Sequence, residues 1–151
     1  MTRKITSAVA RIFHNSNEKI YLGNLDAKRD WGHAEDYIQS MWKMLQQKKP
    51  DDYVIATGKS YSVREFVVEA FKNINIDIKW KGRGLNECGY DAISKKIYIK
   101  ISKIYFRPTE VFELKGDASK AKKTLKWKPK ISFKNMVKKM VKFDIDNFNN
   151  N

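Results

Sequence analysis

Residues 23–47 read GNLDAKRDWGHAEDYIQSMWKMLQQ, a highly charged stretch that runs directly into a periodic apolar pattern. Large apolar side chains recur in its second half at the i, i+3, i+4, i+7 spacing: Ile38, Met41, Trp42 and Leu45. This spacing predicts an amphipathic helix over residues 34–47 that ends before Pro50. The charges of the first half have two explanations: a solvated loop, or a site where an arginine binds an anion and neighbouring carboxylates hold that arginine.

Further helices are indicated on both sides of this stretch. Helical spacing predicts that residues 2–13 are the last part of a helix and that residues 62–74 form another helix. Three side chains are expected to cap helices at their N-termini: Ser62, which forms a capping box with Glu65, then Asp117 and Ser132. The last helix carries apolar side chains on one face: Phe133, Met136, Val137, Met140 and Val141.

Strand patterns alternate with these helices. Four segments rich in β-branched and aromatic residues predict strands: residues 19–23, 53–58, 76–80 and 96–102. Residues 81–91 and 101–117 read as loops because they contain glycine, proline and irregular polar patterns. The alternation of the two element types predicts an α/β fold.

Composition narrows the class of protein. A chain of 151 residues with 42% hydrophobic residues can bury a sizeable core, so we expect one globular unit or part of one. The single cysteine, Cys88, excludes a disulfide framework and suits a reducing, cytoplasmic compartment. No apolar run approaches the ~20 residues that cross a bilayer, so no membrane is expected as a partner.

The net charge of +14 raises the possibility of nucleic-acid binding. The densest basic run, residues 115–142, coincides with helix patterns that place its lysines on a solvated face. Its aromatic residues suit base stacking poorly, because Phe133 belongs to an apolar stripe that is expected to be buried. A basic module that binds nucleic acid or a nucleotide sugar without catalysis remains the alternative function.

Signals for a cofactor or a metal are weak. Gly82 and Gly84 begin a GxG pattern, but Glu87 stands where a dinucleotide fingerprint has its third glycine. His14 and His33 lie far apart without spaced partners, so no metal site is predicted. We expect a local hydrogen-bonding role for His33.

Two arginines stand out instead. Arg29 in KRDWGHAED and Arg107 in FRPTE are two of only six arginines, and both are predicted to lie in loops beside carboxylates. A planar guanidinium fork suits a diphosphate, which presents several oxygens at fixed spacing. Asp30 and Asp36 are expected to support the site, with Asp36 near a helix start. The residues by themselves leave a ligand site and a structural loop equally open.

Five blocks, in order, carry a resemblance: the stretch of residues 23–47, then DDYVIATG, SVREFV, FRPTEV and GDASKAKKTLKWKPKISF. Together they resemble the C-terminal half of the GDP-mannose 4,6-dehydratase family, which are extended short-chain dehydrogenases/reductases. The resemblance implies that residues 1–151 form a substrate-binding C-terminal region for GDP-mannose. It also implies a family of homo-oligomers in which an N-terminal Rossmann domain, absent from these residues, binds NADP. The polar sequence of residues 147–151 by itself predicts a frayed tail.

The resemblance also implies roles for four residues. Arg29 matches an arginine that contacts the nucleotide diphosphate, and Arg107 matches a second one. Glu110 matches an acidic residue at the nucleoside, and Lys4 lies near another substrate contact. Two departures from the family pattern occur: Phe112 replaces an aspartate and Ala118 replaces a proline.

The family's chemistry oxidises C4 of the hexose by hydride transfer to NADP, eliminates water across C5 and C6, and returns the hydride. The Tyr-x-x-x-Lys pair that serves this chemistry is missing, since none of the seven tyrosines has lysine four residues later. We therefore expect no catalytic residue and no bound NADP in this chain alone. A gene fragment, a split-gene subunit with a separate Rossmann half, and a relic are the expected possibilities.

Overall fold

The computed structural model describes residues 1–107 and 111–148 and divides into two compact units. The first unit holds residues 1–27, 62–107 and 137–148, and the second holds Lys28–Tyr61 and Val111–Met136. Helices and strands alternate along the chain, so the predicted α/β class is confirmed.

The first unit contains a four-stranded mixed sheet. Its strands are β1 (Ile20–Leu22), β4 (Ile78–Lys81), β5 (Cys88–Asp91) and β6 (Ile97–Ile101), in the order β1-β6-β5-β4. Strand β1 pairs parallel with β6, and the other two pairings are antiparallel. The strands predicted near residues 19–23, 76–80 and 96–102 are thus confirmed.

Strand β5 lies inside residues 81–91, a segment predicted to be a loop. This prediction is wrong for residues 88–91. The glycine pattern that predicts a loop includes Gly89, but this residue occupies a crowded position in the sheet. A Cβ atom there would come within 2.9 Å of the Ile99 and Trp80 side chains. The glycine therefore permits close packing inside a strand, and the free thiol of Cys88 is buried in the same strand.

Helices α1 (Thr2–Phe13), α3 (Val63–Lys72) and α5 (Phe133–Asp146) confirm three predicted helices. The capping box is present, because the Ser62 hydroxyl accepts from the Glu65 N–H and the Glu65 carboxylate accepts from the Ser62 N–H. The apolar stripe of α3 is fully buried: Phe66, Val67, Ala70 and Phe71. Helix α3 contacts α1 and β4, so these elements build the core of the first unit.

The second unit contains two-residue strands. Strand β2 (Lys28–Arg29) pairs parallel with β7 (Glu113–Leu114), and β3 (Tyr61–Ser62) completes the order β3-β2-β7. Arg29 therefore lies in a short strand and not in the predicted loop. The N–H groups of the residues on either side of it, Lys28 and Asp30, donate to the carbonyls of Phe112 and Leu114. The bond from the Lys28 N–H to the Phe112 carbonyl is 2.7 Å long. Phe112, which replaces the aspartate of the family pattern, therefore still contributes its carbonyl to this pairing.

Helices α2 (Ala34–Leu45) and α4 (Ser119–Thr124) pack in the second unit. Their core is a cluster of Ala121, Leu125 and Trp127, against which partly buried side chains pack: Tyr37, Met44, Tyr53, Ile55 and Ala118. The Asp117 carboxylate accepts from the Ser119 N–H at 2.9 Å, but Ala118 occupies the N-cap position.

The predicted strand at residues 53–58 is wrong: within the described residues this segment belongs to no sheet. Backbone groups that a strand would use bond elsewhere, since the Thr57 and Gly58 N–H groups donate to the Asp30 carboxylate at 2.9 and 2.8 Å. Val54 is 55% exposed, although a buried strand would cover it.

Residues 147 and 148 of the C-terminal tail make contacts with other residues. The Asn147 N–H donates to the Phe143 carbonyl, and the Phe148 ring stacks on His14 at 4.2 Å, while residues 149–151 of the expected frayed tail lie outside the described residues. Among helices in the described ranges, none is both long and apolar enough to cross a bilayer.

Candidate functional site

Arg29 lies on β2 with its guanidinium fixed by backbone carbonyls. Its Nη1 atom donates to the Lys28 carbonyl at 2.7 Å and to the Val111 carbonyl at 2.9 Å. Val111 directly follows Glu110, which was predicted to contact the nucleoside and lies outside the described residues. The strand pairing between β2 and β7 thus brings Arg29 to Val111, the last residue of the FRPTEV motif.

Asp30 connects three segments of the second unit. Its carboxylate accepts from the Thr57 N–H at 2.9 Å, the Thr57 hydroxyl at 2.5 Å, the Gly58 N–H at 2.8 Å and the Gly116 N–H at 3.4 Å. Its own N–H donates to the Leu114 carbonyl. Asp30 therefore fixes the backbone on both sides of Arg29's strand.

Asp36 has a similar role at the start of α2. It is 2% exposed, and its Oδ2 atom accepts from the Lys130 and Ile131 N–H groups at 3.0 and 2.9 Å. Its carbonyl accepts from the Trp127 indole at 2.8 Å. The Asp36 carboxylate therefore joins α2 to the segment after α4.

The neighbouring Tyr37 has a perturbed pKa. Burial, aided by the nearby charges of Asp30 and Asp36, raises the pKa of Tyr37.

His33 occupies the N-cap position of α2. Its Nδ1 atom accepts from the Glu35 N–H at 3.3 Å, which agrees with the local hydrogen-bonding role expected for it. Asp30 and Asp36 therefore bond to distant backbone segments, whereas His33 bonds locally. Within the described ranges, no three side chains of His, Cys, Asp or Glu come together as a metal site.

Lys4 and the segment before Arg107 come together in the first unit. The Lys4 ammonium donates to the Tyr21 carbonyl at 2.7 Å and lies 3.7 Å from the centre of the Tyr105 ring. A Cβ at Gly23 would collide with the Tyr105 carbonyl, so glycine permits this segment to approach β1 closely. Arg107 is exposed, and it makes no ion pair or hydrogen bond with another residue in ranges 1–107 and 111–148.

The predicted site residues are divided between the two units. Lys4 and Arg107 belong to the first unit, whereas Arg29, Asp30 and Asp36 belong to the second. The described contacts join Lys4 to the Arg107 segment, and Arg29 to the residue after Glu110.

Sequence reasoning missed an ion cluster centred on Arg64 in the first unit. Its guanidinium bonds Asp26 at 2.9 Å and Glu87 at 2.6 Å, and it lies over the Trp80 ring at 4.7 Å. Burial acts to lower the pKa of Arg64, but its hydrogen bonds to Glu87 and Asp26 raise that pKa overall. No sequence signal links these residues, because they are 23 and 38 positions apart from Arg64.

The glycine turn does not fit a nicotinamide dinucleotide. Gly82 and Gly84 have positive φ angles and lie between β4 and β5, which pair antiparallel. A dinucleotide fingerprint needs a turn from a strand into a helix whose N-terminus receives the pyrophosphate. Here a three-residue 3₁₀ turn, Gly84–Asn86, follows instead.

The chain is similar in sequence to a protein-family model and to several known proteins. A family model described as GDP-mannose 4,6 dehydratase matches residues 1–140. The chain is 54% identical over 146 residues to the GDP-mannose 4,6 dehydratase of Drosophila melanogaster, covering 97% of this chain and 37% of that protein. It is 55% identical over 150 residues to the enzyme of the same name from Dictyostelium discoideum, covering 99% of this chain and 42% of that protein.

A solved structure shares the fold. RMD from Pseudomonas aeruginosa, complexed with NADPH, matches with a TM-score of 0.75 at 14% identity, over 97% of this chain and 43% of that chain. The chain thus spans about two fifths of the length of the curated relatives and of the solved structure that it matches.

Proposed function

The chain belongs to the GDP-mannose 4,6-dehydratase family, and on that premise we propose that it is the sugar-nucleotide-binding part of such an enzyme. The complete enzyme is proposed to convert GDP-mannose to its 4-keto-6-deoxy form with NADP. In this proposal Arg29 and Arg107 bind the diphosphate, Glu110 faces the nucleoside, and Lys4 supplies a further positive charge.

The fixed orientation of Arg29 is the observation that best supports this role. Two carbonyls hold one nitrogen of the guanidinium, and the β2–β7 pairing holds the backbone. An arginine already held in place loses less side-chain entropy when it binds an anion, and its planar fork matches phosphate oxygens. Asp30 and Asp36 support the surrounding backbone through the bonds described above.

Lys4 and Arg107 support the proposal from the first unit. The Lys4 ammonium lies over the ring of Tyr105, which stands two residues before Arg107 in the chain, and the Lys4 and Arg107 side chains are both exposed. Two exposed cations in one unit suit a ligand that carries two phosphate groups. NADP is assigned to the complete enzyme only, because the Gly82–Gly84 turn does not fit it.

The alternative is a basic module that binds nucleic acid or a nucleotide sugar without catalysis. The net charge of +14 favours nucleic acid, but the aromatic residues of the basic run do not. Trp127 is 2% exposed and Phe133 is 8% exposed, so neither ring can stack on a base. We therefore favour a specific diphosphate ligand.

A binding experiment separates diphosphate binding from nucleic-acid binding. Titration with GDP-mannose should saturate, GDP should compete, and the affinity should depend weakly on salt because few charges are involved. Binding to duplex DNA or RNA through many phosphates would instead weaken steeply with salt. A steep salt slope with nucleic acid, and no competition by GDP, would contradict the proposal.

A further inference from the structure

An open cleft in the second unit is not used by the proposed function. It has a volume of about 550 Å³, and its lining comes from residues 56–58, residues 115–119 with Lys122, and residues 127–129. All of these belong to the second unit, so that unit alone forms the cleft. Pockets for small organic ligands have volumes of about 300–1,000 Å³, so this cleft has room for one.

The most buried residues of the lining are apolar. Trp127 is 2% exposed and Ala56 is 6% exposed, so these two side chains form the floor of the cleft. A Cβ at Gly116 would collide with the Ala56 side chain, so the glycine permits its segment to pack closely against residues 56–58. The floor is therefore a closely packed surface of low dielectric constant.

Neutral hydrogen-bond donors of the lining already have acceptors inside the unit. Four such groups are the Trp127 indole N–H, the N–H groups of Thr57 and Gly58, and the Ser119 hydroxyl. Their acceptors are the Asp36 carbonyl and the carboxylates of Asp30 and Asp117. A ligand in the cleft therefore has to interact mainly with charged side chains.

Three exposed lysines line this surface, here the lysine cleft: Lys115, Lys122 and Lys128. Their ammonium groups make no ion pair and no hydrogen bond with another residue in ranges 1–107 and 111–148. Asp117 is the one acid among the described lining residues, and its carboxylate accepts from the N–H and the hydroxyl of Ser119. Cations along a low-dielectric wall concentrate positive potential, so the lysine cleft favours an anion.

The lysine cleft is separate from the proposed diphosphate site. Arg29 ends strand β2 and Asp30 follows it with its N–H still bonded to the Leu114 carbonyl, so their side chains point to opposite faces. The Asp30 carboxylate reaches Thr57, Gly58 and Gly116 at the cleft, which places the Arg29 guanidinium on the other face. The other described residues of the diphosphate site, Lys4 and Arg107, belong to the first unit.

We propose that the lysine cleft is a second ligand site, which binds a small organic molecule with two phosphate groups. Lysine binds phosphate as a point charge, and three ammonium groups in one cleft suit more than one phosphate. The volume and the apolar floor suit an organic molecule better than an inorganic ion, which would fill only part of the space. This inference goes beyond the proposed function and does not rest on it.

Calorimetric titration of the full 151-residue chain tests the ligand class, with fructose 1,6-bisphosphate as the probe. Binding should saturate at one molecule per chain. Inorganic phosphate should bind at least about tenfold more weakly, because it brings one phosphate group to three lysines and leaves the floor uncovered. Absence of saturable binding, or equal affinity for the two compounds, would overturn the inference.

Matched lysine substitutions test the location. Lys122→Gln and Lys128→Gln should each weaken fructose 1,6-bisphosphate binding at least about fivefold, because each removes a charge-assisted bond at an exposed position. Lys123→Gln is the control, since Lys123 is the next residue of α4, is exposed and does not line the cleft. It removes the same charge and should change the affinity less than about twofold, because solvent and salt screen its charge. Equal effects of Lys122→Gln and Lys123→Gln would show a response to net charge and would overturn the site.

Titration with both ligands keeps this inference separate from the proposed function. Fructose 1,6-bisphosphate should bind equally well with and without GDP-mannose, and Lys122→Gln should leave GDP-mannose binding unchanged. Competition between the two ligands would overturn a separate site. GDP-mannose binding without fructose 1,6-bisphosphate binding retains the function and overturns the lysine cleft. Fructose 1,6-bisphosphate binding that Lys122→Gln weakens, without GDP-mannose binding, supports the lysine cleft and contradicts the function.

Discussion

Asp30 shows how one carboxylate can organise the backbone around a candidate site. It accepts two N–H groups and one hydroxyl from residues 57 and 58, and it also reaches the Gly116 N–H. An aspartate beside an arginine is easily read as its ionic partner. The bonds described for this carboxylate go instead to Thr57, Gly58 and Gly116, so its contribution is to position the backbone.

Asp30→Asn should destabilise the fold by about 2 kcal/mol, because an amide presents one acceptor and a donor that faces other donors. Denaturant unfolding measures the change in the free energy of unfolding. Asp52→Asn is the control, since Asp52 is exposed, and it should change the free energy by less than about 0.5 kcal/mol. Equal values for the two variants would show that the Asp30 bonds contribute nothing to stability.

The arginines are expected to act through their forked geometry and not only through charge. The test protein is a chimera that joins the N-terminal part of a curated relative to this chain. Arg29→Lys or Arg107→Lys in this chimera should weaken GDP-mannose binding by about 1–3 kcal/mol, because a point charge replaces a bidentate donor. Calorimetric titration measures the affinity. Arg83→Lys provides a control arginine that has no assigned role. Unchanged affinity in both test variants, with the fold intact, would remove the diphosphate assignment.

At the scale of elements, the connection between β5 and β6 depends on one charged cap. The Asp91 carboxylate accepts from the Ser94 hydroxyl at 2.6 Å, the Ser94 N–H at 3.0 Å and the Ile93 N–H at 3.2 Å. The bonds to the Ser94 hydroxyl and N–H are the main causes that lower the pKa of Asp91 below its ordinary value. The charged form therefore stabilises the folded state.

This lowered pKa predicts an acid dependence. Because the folded pKa is below the unfolded one, the contribution of Asp91 is present above about pH 4 and is lost as pH falls through the folded pKa. Wild-type protein should therefore lose its stability advantage over Asp91→Asn as the pH falls below about 4. Chemical denaturation at several pH values measures the free energy of unfolding of both proteins, with Asp77→Asn as the control. A constant difference at all pH values would contradict the assignment.

At the scale of the whole molecule, these 151 residues carry the proposed binding residues but no Tyr-x-x-x-Lys pair. We predict that the 151-residue polypeptide alone neither binds NADP tightly nor forms the 4-keto-6-deoxy sugar. Adding the N-terminal part of a relative as a separate polypeptide should raise its thermal midpoint in a concentration-dependent manner and restore activity with NADP.

Product analysis and thermal melts measure these two outcomes. Formation of the keto sugar by the purified chain alone would contradict the prediction about catalysis. A sharp melt that an excess of the added part leaves unchanged would show that the chain is an autonomous domain.

The sequence by itself determined the features that depend on near neighbours. The spacing of apolar residues fixed the position of α2, and Ser62 with Glu65 fixed the start of α3, because capping involves residues three positions apart. The family also followed from the sequence, since its motifs are contiguous blocks. The predicted roles of Arg29, Arg107, Glu110 and Lys4 remain predictions.

Only the tertiary structure decided which surfaces are covered. The apolar stripe of α2 is outermost because the Trp127 cluster, about 90 positions away, packs on the other face. Residues 53–58 join no sheet within the described residues because Asp30, 27 and 28 positions away, takes two of their N–H groups. Such pairings depend on which distant segments the fold brings together, and neither propensity nor periodicity contains that information.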